Sequence, residues 1–512
     1  MMKKSAAIAV LVLVSAFLLT GCSTGSGETG KGDDTLVVAL PSAPISLDPS
    51  KAATGLYTNY VDTTYASLLN HDGIGKIEAG LADKWAYNSD NTELSVTLRS
   101  GLKWADGAPL TAADVVASIQ YFAKGSGGTA PSLAKLTFSA RGDSTVLIDS
   151  PTPNPILADL FTPEYLAGAV ISPAGLKDPA KLAEATFGAG PYVYDAKQSV
   201  SGDHYVYTPN KNYYAQNAIH YKSITIKVIA NTNSAVQALK SGQIDFMQGN
   251  ADVAPTIKNN SNLKVLTEPS IWAGLYLLDR TGTVVPALAD ERVRQALNYA
   301  VDRVAITKAV YGAFGTPTDQ AQVPGGDGYR TKETYSYNPA KAKKLLADAG
   351  YAQGFTIPVN YGSFDPDNTK LVQAVQAQLA AIGVKLELTA ATNFGGWVND
   401  LVSKKFAATV LSPGAGGDQF LQAQSTFLPG GIMNIFGASD SAVAAEAQVI
   451  AAASPQDHDA AARKMDQIVT EHALTLPISA VNTTLLYNSK VQGLVWRKGI
   501  NVPTYVTAWT SK

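Results

Sequence analysis

The segment from position 356 to 388 carries a strand pattern, a helix pattern and a second strand pattern in close succession. This arrangement restricts the fold more than any other stretch. Residues 356–360 and 384–388 read as short strands, and Gly383 ends the helix between them. The helix is marked by apolar residues at helical spacing: Leu371, Val375, Leu379 and Ile382. Strands joined by one helix over so few residues are parallel neighbours in a sheet, so the pattern predicts an α/β fold.

Other local patterns support the same fold class in the first half of the chain. Thr111-Ala112-Ala113-Asp114 resembles a capping box, with Asp114 in the place usually taken by Glu, and predicts the start of a helix. A second, short helix is expected over residues 234–240, ended by Gly242. Alternating or β-branched residues predict strands at positions 35–40, 94–98 and 224–228.

The second half contains two clear helix patterns. Asn338 as N-cap, Pro339 at the first helical position and Gly350 beyond the end frame one helix. Helical spacing of apolar residues predicts another, which we expect to include Val293, Ala296, Leu297, Ala300, Val301 and Val304. Because the chain has 512 residues, it is long for one core, and two or more lobes are expected.

The first 34 positions indicate export. Lys3 and Lys4 precede an apolar run from 6 to 19 that is shorter than the about 20 residues of a membrane span, so residues 1–21 are expected to be a signal peptide. Leu19-Thr20-Gly21-Cys22 resembles the bacterial lipobox, in which the cysteine is diacylated after cleavage. The alternative is an ordinary secretory signal with a chance cysteine. Residues 22–34, rich in Gly, Ser, Thr and acidic residues, are expected to form a flexible tether.

Composition and motifs argue against several classes of function. With 40 basic and 42 acidic residues and no basic stripe, nucleic acid is not an expected partner. The five histidines are scattered without the spacing of a helical metal site, and we find no Walker A pattern, Rossmann fingerprint or G-x-S-x-G elbow. We therefore expect no enzymatic activity, no cofactor and no metal. Cys22 is the only cysteine, so no disulfide framework is expected.

Eleven short motifs resemble, in order and spacing, the family 5 extracytoplasmic solute-binding proteins of ABC importers, which serve oligopeptide, dipeptide, nickel and some sugar importers. We interpret most of these motifs as scaffold, and expect Arg292, Arg294 and Arg303 to form ion pairs at the surface or between lobes. The motifs are SLDP (46–49), LADKW (81–85), LRSGLKWADG (98–107), TAADV (111–115), GAGPY (188–192), YTPNKNYY (207–214), SGQID (241–245), RVRQAL (292–297), YAVDR (299–303), AKKLL (342–346) and AGY (349–351).

The resemblance implies a two-lobed periplasmic-binding-protein-like fold of the class II or cluster C type. Lobe I would comprise residues 35–268 and 482–512, with an extra subdomain at about 60–180, and lobe II residues 269–481. The chain would cross between the lobes near 268–272 and 478–482. Ligand would bind between the lobes and stabilise the closed form. A monomer is expected.

The resemblance also places candidate ligand-binding residues in lobe II. Trp397 is a candidate stacking wall, with a core or surface Trp as the alternative. Gly416 and Gly417 lie in a glycine-rich loop that ends at Asp418, for which the alternative is a turn or cap residue. In peptide-binding members this region tends to carry an aromatic residue and an Asp that holds the peptide amine. Here residues 411–414 replace the aromatic part, no Asp-Pro follows, and only Asp418 remains for the amine. The further candidates are Asn434, after a Gly-Gly pair, and Trp272, at the expected crossing.

These residues favour a lipoprotein, held on the outer face of the cell membrane, that captures peptides and delivers them to ABC permease subunits. A second hypothesis keeps the scaffold but gives it an oligosaccharide or another polar solute, because aromatic platforms such as Trp397 also suit sugars. A third is a surface receptor that signals ligand without transport.

Overall fold

The computed structural model describes residues 35–127, 129–250, 252–410, 418–453, 457–498, 500 and 502–512. The expected signal peptide, Cys22, the tether, Gly416 and Gly417 lie outside these ranges. Among the helices that are described, none combines the length and the apolar character that a membrane crossing requires.

Strands are spread over the whole described chain. They are β1 (Thr35–Leu40), β2 (Leu69–His71), β3 (Ile77–Ala79), β4 (Ala82–Tyr87), β5 (Glu93–Leu98), β6 (Thr137–Arg141), β7 (Thr145–Asp149), β8 (Tyr192–Tyr194), β9 (His204–Pro209), β10 (Ser223–Val228), β11 (Phe246–Gly249), β12 (Leu263–Leu277), β13 (Gly315–Pro317), β14 (Phe355–Gly362), β15 (Val384–Ala391), β16 (Ala408–Val410), β17 (Thr475–Asn488), β18 (Val491–Gln492), β19 (Trp496–Arg497), β20 (Val502–Pro503) and β21 (Thr510–Ser511).

Helices alternate with these strands. They are α1 (Asn59–Asp62), α2 (Ala112–Phe122), α3 (Leu157–Leu160), α4 (Pro173–Lys177), α5 (Thr232–Lys240), α6 (Glu291–Tyr299), α7 (Arg303–Val310), α8 (Pro339–Asp348), α9 (Pro366–Ala380), α10 (Phe394–Val402), α11 (Gln419–Gln422), α12 (Ser441–Ala452) and α13 (His458–Glu471).

One large mixed sheet organises the fold. Its strand order is β15-β14-β16-β12-β17-β11-β1-β10-β9-β8, and β13 pairs with β17 outside this path. Strands β14 and β15 are parallel and joined through α9, which confirms the βαβ unit and the α/β class predicted from the sequence. The buried side chains of α9 include Leu371, Val375 and Leu379, so its apolar stripe faces the sheet as the spacing indicates.

Two long antiparallel strands, β12 and β17, join the two halves of this sheet. Their register shifts between Pro269 and Ile271 and again between Ala273 and Gly274. A Cβ at Gly274 would lie 2.2 Å from the Leu476 carbonyl oxygen, so the second irregularity requires glycine. The segments expected to cross between lobes, 268–272 and 478–482, fall within these strands, while the lobe boundaries themselves stay predictions.

A separate four-stranded sheet, in the order β4-β5-β7-β6, packs against α2. The capping box that opens α2 is confirmed: the Thr111 side chain accepts from the Asp114 amide, and the Asp114 carboxylate accepts from the Thr111 amide. Alternate residues of β5 are buried, as its period of two predicts.

Two predictions about the 292–304 region are wrong. The expected single helix is two helices. The second, α7, begins at Arg303, and the side chain of Asp302 caps it by accepting from the Ala305 amide. Val304 is 66% exposed. Arg292 does form a surface ion pair with Asp290, but Arg294 and Arg303 are buried and donate to other groups. Arg294 donates to backbone carbonyls, and Arg303 to two carbonyls and the Asn298 amide oxygen. Arg294 thus connects α6 to His472, just before β17, and Arg303 connects α7 to Pro477 within β17.

Candidate functional site

Asp418 stands at the start of the short helix α11 and caps it. Its Oδ1 accepts hydrogen bonds from the amides of Phe420, at 2.7 Å, and Leu421, at 3.0 Å. This use of one oxygen is the ordinary N-cap role, because a carboxylate satisfies amides that have no partner in the first helical turn. The other oxygen, Oδ2, lies 3.5 Å from Nε2 of His458 and remains available for a further contact.

Two more ionisable groups meet Asp418. Asp327 Oδ2 accepts from the Gln419 amide at 3.0 Å and lies 3.2 Å from Nε2 of His458, which begins α13. One ligand atom from each of Asp327, Asp418 and His458 falls within 4.8 Å of the others. We call these three residues the Asp–His cluster. Their donor types could hold a metal ion or a cationic group of a solute.

The electrostatics of the Asp–His cluster favour a positive charge. Burial raises the pKa of Asp418 to about 6, the charge of Asp327 adds to this effect, and the Leu421 amide and His458 oppose it. The hydrogen bond to Asp327 is the main cause that raises the pKa of His458 above its usual value, although burial lowers it. Since the carboxylates outnumber the imidazolium, a bound cation would stabilise their charged forms.

A part of the chain far away in sequence adds a further negative charge that acts on the Asp–His cluster. The charge of Asp159, on α3, raises the pKa of both Asp418 and His458. Nearby, the Tyr87 hydroxyl donates to the Pro155 carbonyl at 2.7 Å and accepts from the Ala158 amide at 2.9 Å, which fixes the segment before and within α3. The charge on α3 therefore adds to the negative potential at the Asp–His cluster.

The two tryptophans predicted as ligand contacts are buried in the same apolar cluster as Phe420. Trp397 is 4% exposed, and its indole N–H donates to Thr409 Oγ1 at 2.9 Å. Trp272 is 1% exposed and packs against Tyr276 with ring centroids 4.3 Å apart. Both rings therefore pack in the apolar interior together with Phe420 of α11.

Asn434 has a defined structural task. It is 2% exposed, its Nδ2 donates to the carbonyls of Phe427 and Ala438, and its Oδ1 accepts from the Ala438 amide. These bonds close the loop that follows the single turn of π-helix at Ala423–Phe427. Asp418 is thus the predicted site residue that lies beside charged partners. The other predicted site residues that the structure describes, Trp272, Trp397 and Asn434, are buried.

Sequence reasoning missed Asp159, Asp327 and His458. The last two are 131 positions apart, and no local motif connects them. The one available signal was the position of His458 close to a helix start, which by itself indicates nothing about a site. Their meeting depends on how α13 and the loop after β13 pack around α11.

Comparison with known proteins shows which protein family the chain belongs to. The model of the family described as "Bacterial extracellular solute-binding proteins, family 5 Middle" matches residues 76–434. The chain belongs to this family. It is therefore a solute-binding protein of the kind that serves ABC importers, and members of the family are extracytoplasmic, which confirms the resemblance noted in the sequence.

Individual relatives are similar to most of the chain. The glutathione-binding protein GsiB of Escherichia coli O1:K1 is 27% identical over 384 residues, which are 74% of this chain and 72% of that protein. The probable peptide ABC transporter periplasmic-binding protein y4tO of Sinorhizobium fredii is 28% identical over 398 residues, 72% of each chain. Among solved structures, AgaA in complex with agropinic acid from A. tumefaciens R10 gives a TM-score of 0.79 at 22% identity, over 93% of this chain and 99% of that chain. Such neighbours are two-lobed, and the fold of this chain is the same.

Proposed function

We propose that the chain captures short peptides between its two lobes, holds their free amine at Asp418, and delivers them to the permease subunits of an ABC importer. The observation that carries this proposal is that Asp418 and Asp327 meet at His458, where the charge of Asp159 also acts. Two carboxylates face a single imidazolium there, and Asp159, which is itself paired with His71, adds negative potential. A peptide ammonium is a positive group of suitable size that can donate to both carboxylates at once.

The state of Asp418 supports an amine as the occupant. Its carboxylate is costly to ionise where it lies, since burial and Asp327 both raise its pKa. An ammonium bound at its Oδ2 would reverse that cost and form a charge-assisted hydrogen bond, which contributes about 1.5–3 kcal/mol. Oδ1 would stay engaged with the Phe420 and Leu421 amides, so the carboxylate is already oriented before the ligand arrives.

The names of relatives support peptides as the solute class, because one is described as binding glutathione and another as a probable peptide transporter component. The alternative of a sugar depends on Trp397 as a stacking platform. That indole is buried, and its N–H donates to Thr409 Oγ1, which makes the sugar proposal weaker. The proposal includes lobe I at 35–268 and 482–512 and lobe II at 269–481, closing on the peptide.

Anchoring through Cys22 is part of the same proposal. Its support is the lipobox-like run Leu19-Thr20-Gly21-Cys22 and the polar segment that follows. Two acyl chains give stable attachment where one chain does not. A Cys22→Ser variant should bind ligand in solution but fail to support uptake by cells. Uptake at the normal rate would contradict the role of the anchor.

The central test compares Asp418→Asn with Asp440→Asn. Asp440 is a close structural match, since it caps α12 through the Ala442 and Val443 amides and pairs with His472 at 2.6 Å. Both variants keep a capping side chain and remove one negative charge. Calorimetric titration should show a loss of about tenfold or more in affinity of Asp418→Asn for peptides with a free amine. Affinity of Asp440→Asn should equal that of the wild type.

Peptides with an acetylated amine provide the chemical control. They should bind the wild type weakly and be affected little by Asp418→Asn. An equal loss for free and acetylated peptides would refute the amine role of Asp418. If saccharides raise the melting temperature while a mixed peptide library leaves it unchanged, the solute class is a polar non-peptide instead.

A further inference from the structure

A separate cavity of about 330 Å³ lies between the chain around α1 to β3 and the C-terminal segment, away from the Asp–His cluster. This volume is at the lower end of the range of about 300–1,000 Å³ that is typical of small-ligand sites. One wall is aromatic, formed by Tyr213 and Tyr214 with ring centroids 4.6 Å apart. The rest of the lining contains several charged or polar side chains.

Three buried groups in this lining have no hydrogen-bond partner among the described residues: the Arg497 Nε–H, the Ser67 hydroxyl and the Tyr505 hydroxyl. Arg497 is 4% exposed; its Nη2 donates to the Pro503 carbonyl at 2.8 Å and forms an ion pair with Glu164 Oε1 at 2.7 Å, but its Nε–H has no acceptor among the described residues. Ser67 is 3% exposed and its hydroxyl is also without a partner. A buried polar group without a partner costs about 1–3 kcal/mol. The Arg497 Nε–H and the Ser67 hydroxyl would both be satisfied by a carboxylate, which accepts several hydrogen bonds.

The same cavity also contains carboxylates. Asp62 accepts from Thr507 through Oδ2 at 2.6 Å, which leaves its other oxygen for a further contact. Burial is the main cause that raises the pKa of Asp62 to about 6; the hydrogen bond from Thr507 opposes this, the charge of Glu164 adds to it, and Arg497 lowers it. Glu78, which is exposed, adds a second carboxylate to the lining. A positive group would be stabilised on this side.

We propose that this cavity is a second ligand site, which binds a small zwitterion with one amine and one carboxylate, such as a free α-amino acid. The ligand carboxylate accepts from Arg497 Nε and Ser67 Oγ. The ligand ammonium donates to Asp62 and Glu78. Tyr213 and Tyr214 form the wall for its side chain. The site is independent of the peptide-binding proposal, because none of these residues belongs to the Asp–His cluster.

The direct test is calorimetric titration of the full chain with glycine, L-serine, L-glutamate, L-lysine and L-phenylalanine. At least one of these should bind the wild type. For that amino acid, the amide and the N-acetyl derivative should each bind at least tenfold more weakly, because each lacks one of the two charges. Absence of binding by all five, or equal binding of the derivatives, would overturn the proposal.

Adjacent variants locate the site. Ala218 lines the cavity at a partly exposed position, so Ala218→Trp fills the space with little risk to the fold, whereas the neighbouring Asn217 is exposed and outside the lining. Ala218→Trp should lose amino acid binding at least tenfold, while Asn217→Trp and Asp418→Asn keep it. Retained binding in Ala218→Trp, or its loss in Asp418→Asn, would overturn the assignment.

A milder variant keeps the test valid if Ala218→Trp fails to fold. Glu78→Lys changes an exposed residue and places a positive charge where the ligand ammonium is expected. It should weaken amino acid binding at least threefold and leave peptide binding unchanged. Unaltered amino acid affinity in Glu78→Lys would contradict the proposed orientation.

Discussion

His71 offers a sharp test of how buried charge stabilises this fold. Its side chain is 0% exposed and lies between two carboxylates, with Nδ1 2.8 Å from Glu164 Oε2 and Nε2 3.2 Å from Asp159 Oδ1. A neutral imidazole donates from one nitrogen only, so both contacts are hydrogen bonds only in the imidazolium. Burial lowers the pKa of His71, but the hydrogen bonds to Asp159 and Glu164 outweigh it and raise the pKa to about 9.

The protonation of His71 makes the free energy of unfolding depend on pH, because its pKa differs between the folded and the unfolded chain. The pKa of His71 is higher in the folded chain than the 6.5 of an ordinary histidine, so its contribution is complete below about pH 6.5 and is lost as the pH rises through 9. A difference of roughly 2.5 units at 1.36 kcal/mol each gives about 3 kcal/mol. At pH 9 about a tenth of each unfolded-state tyrosine is ionised, and the wild type and a His71 variant share this contribution, so it cancels in their comparison.

The measurement is the free energy of unfolding in urea at pH 6.5, 7.5, 8.5 and 9 for the wild type and His71→Asn. Asparagine can still donate to Glu164 but cannot gain a proton. The wild type should lose about 3 kcal/mol more than the variant across this range. As a control, His204→Asn alters an exposed pair with Asp203 and should change stability by less than about 1 kcal/mol. Parallel pH profiles for the wild type and His71→Asn would refute the charged state of His71.

Three further predictions concern other parts of the molecule. Arg303→Met should reduce the free energy of unfolding by at least about 3 kcal/mol, because buried carbonyls lose their donor, whereas Arg292→Met at the surface should cost less than about 1 kcal/mol; equal urea midpoints would contradict this. Gly354→Ala and Gly242→Ala both place alanine at φ +74°, which costs about 1–2 kcal/mol, but only the Cβ at 354 would lie 1.9 Å from a backbone oxygen, so this variant should unfold at a much lower temperature. Affinity for free-amine peptides should fall about tenfold from pH 7 to pH 5 as Asp418 takes up its proton; a pH-independent affinity measured by calorimetry would exclude its carboxylate from binding.

The features that sequence predicts well are those whose cause is local. The α9 stripe and the Thr111–Asp114 capping box depend on residues within one or two turns of each other, and both are confirmed. The prediction for Arg294 and Arg303 was wrong because both donate to neutral groups, including carbonyls 178 and 174 positions away, and no charge pattern in the sequence indicates such partners. The Asp–His cluster was missed for the same reason.

A series of charged side chains connects the C-terminal cavity with the Asp–His cluster. Arg497 in the lining of the C-terminal cavity pairs with Glu164, Glu164 with His71, and His71 with Asp159, whose charge acts on Asp418. Removing the proton of His71 leaves Asp159 and Glu164 without their shared cation, which adds negative potential near Asp418 and raises its cost of ionisation further. A His71 variant without a charge therefore changes the electrostatics of the Asp–His cluster without contacting it. Peptide binding by His71→Asn should consequently require a higher pH than in the wild type, and the shift should vanish when Asp418 is also replaced by Asn.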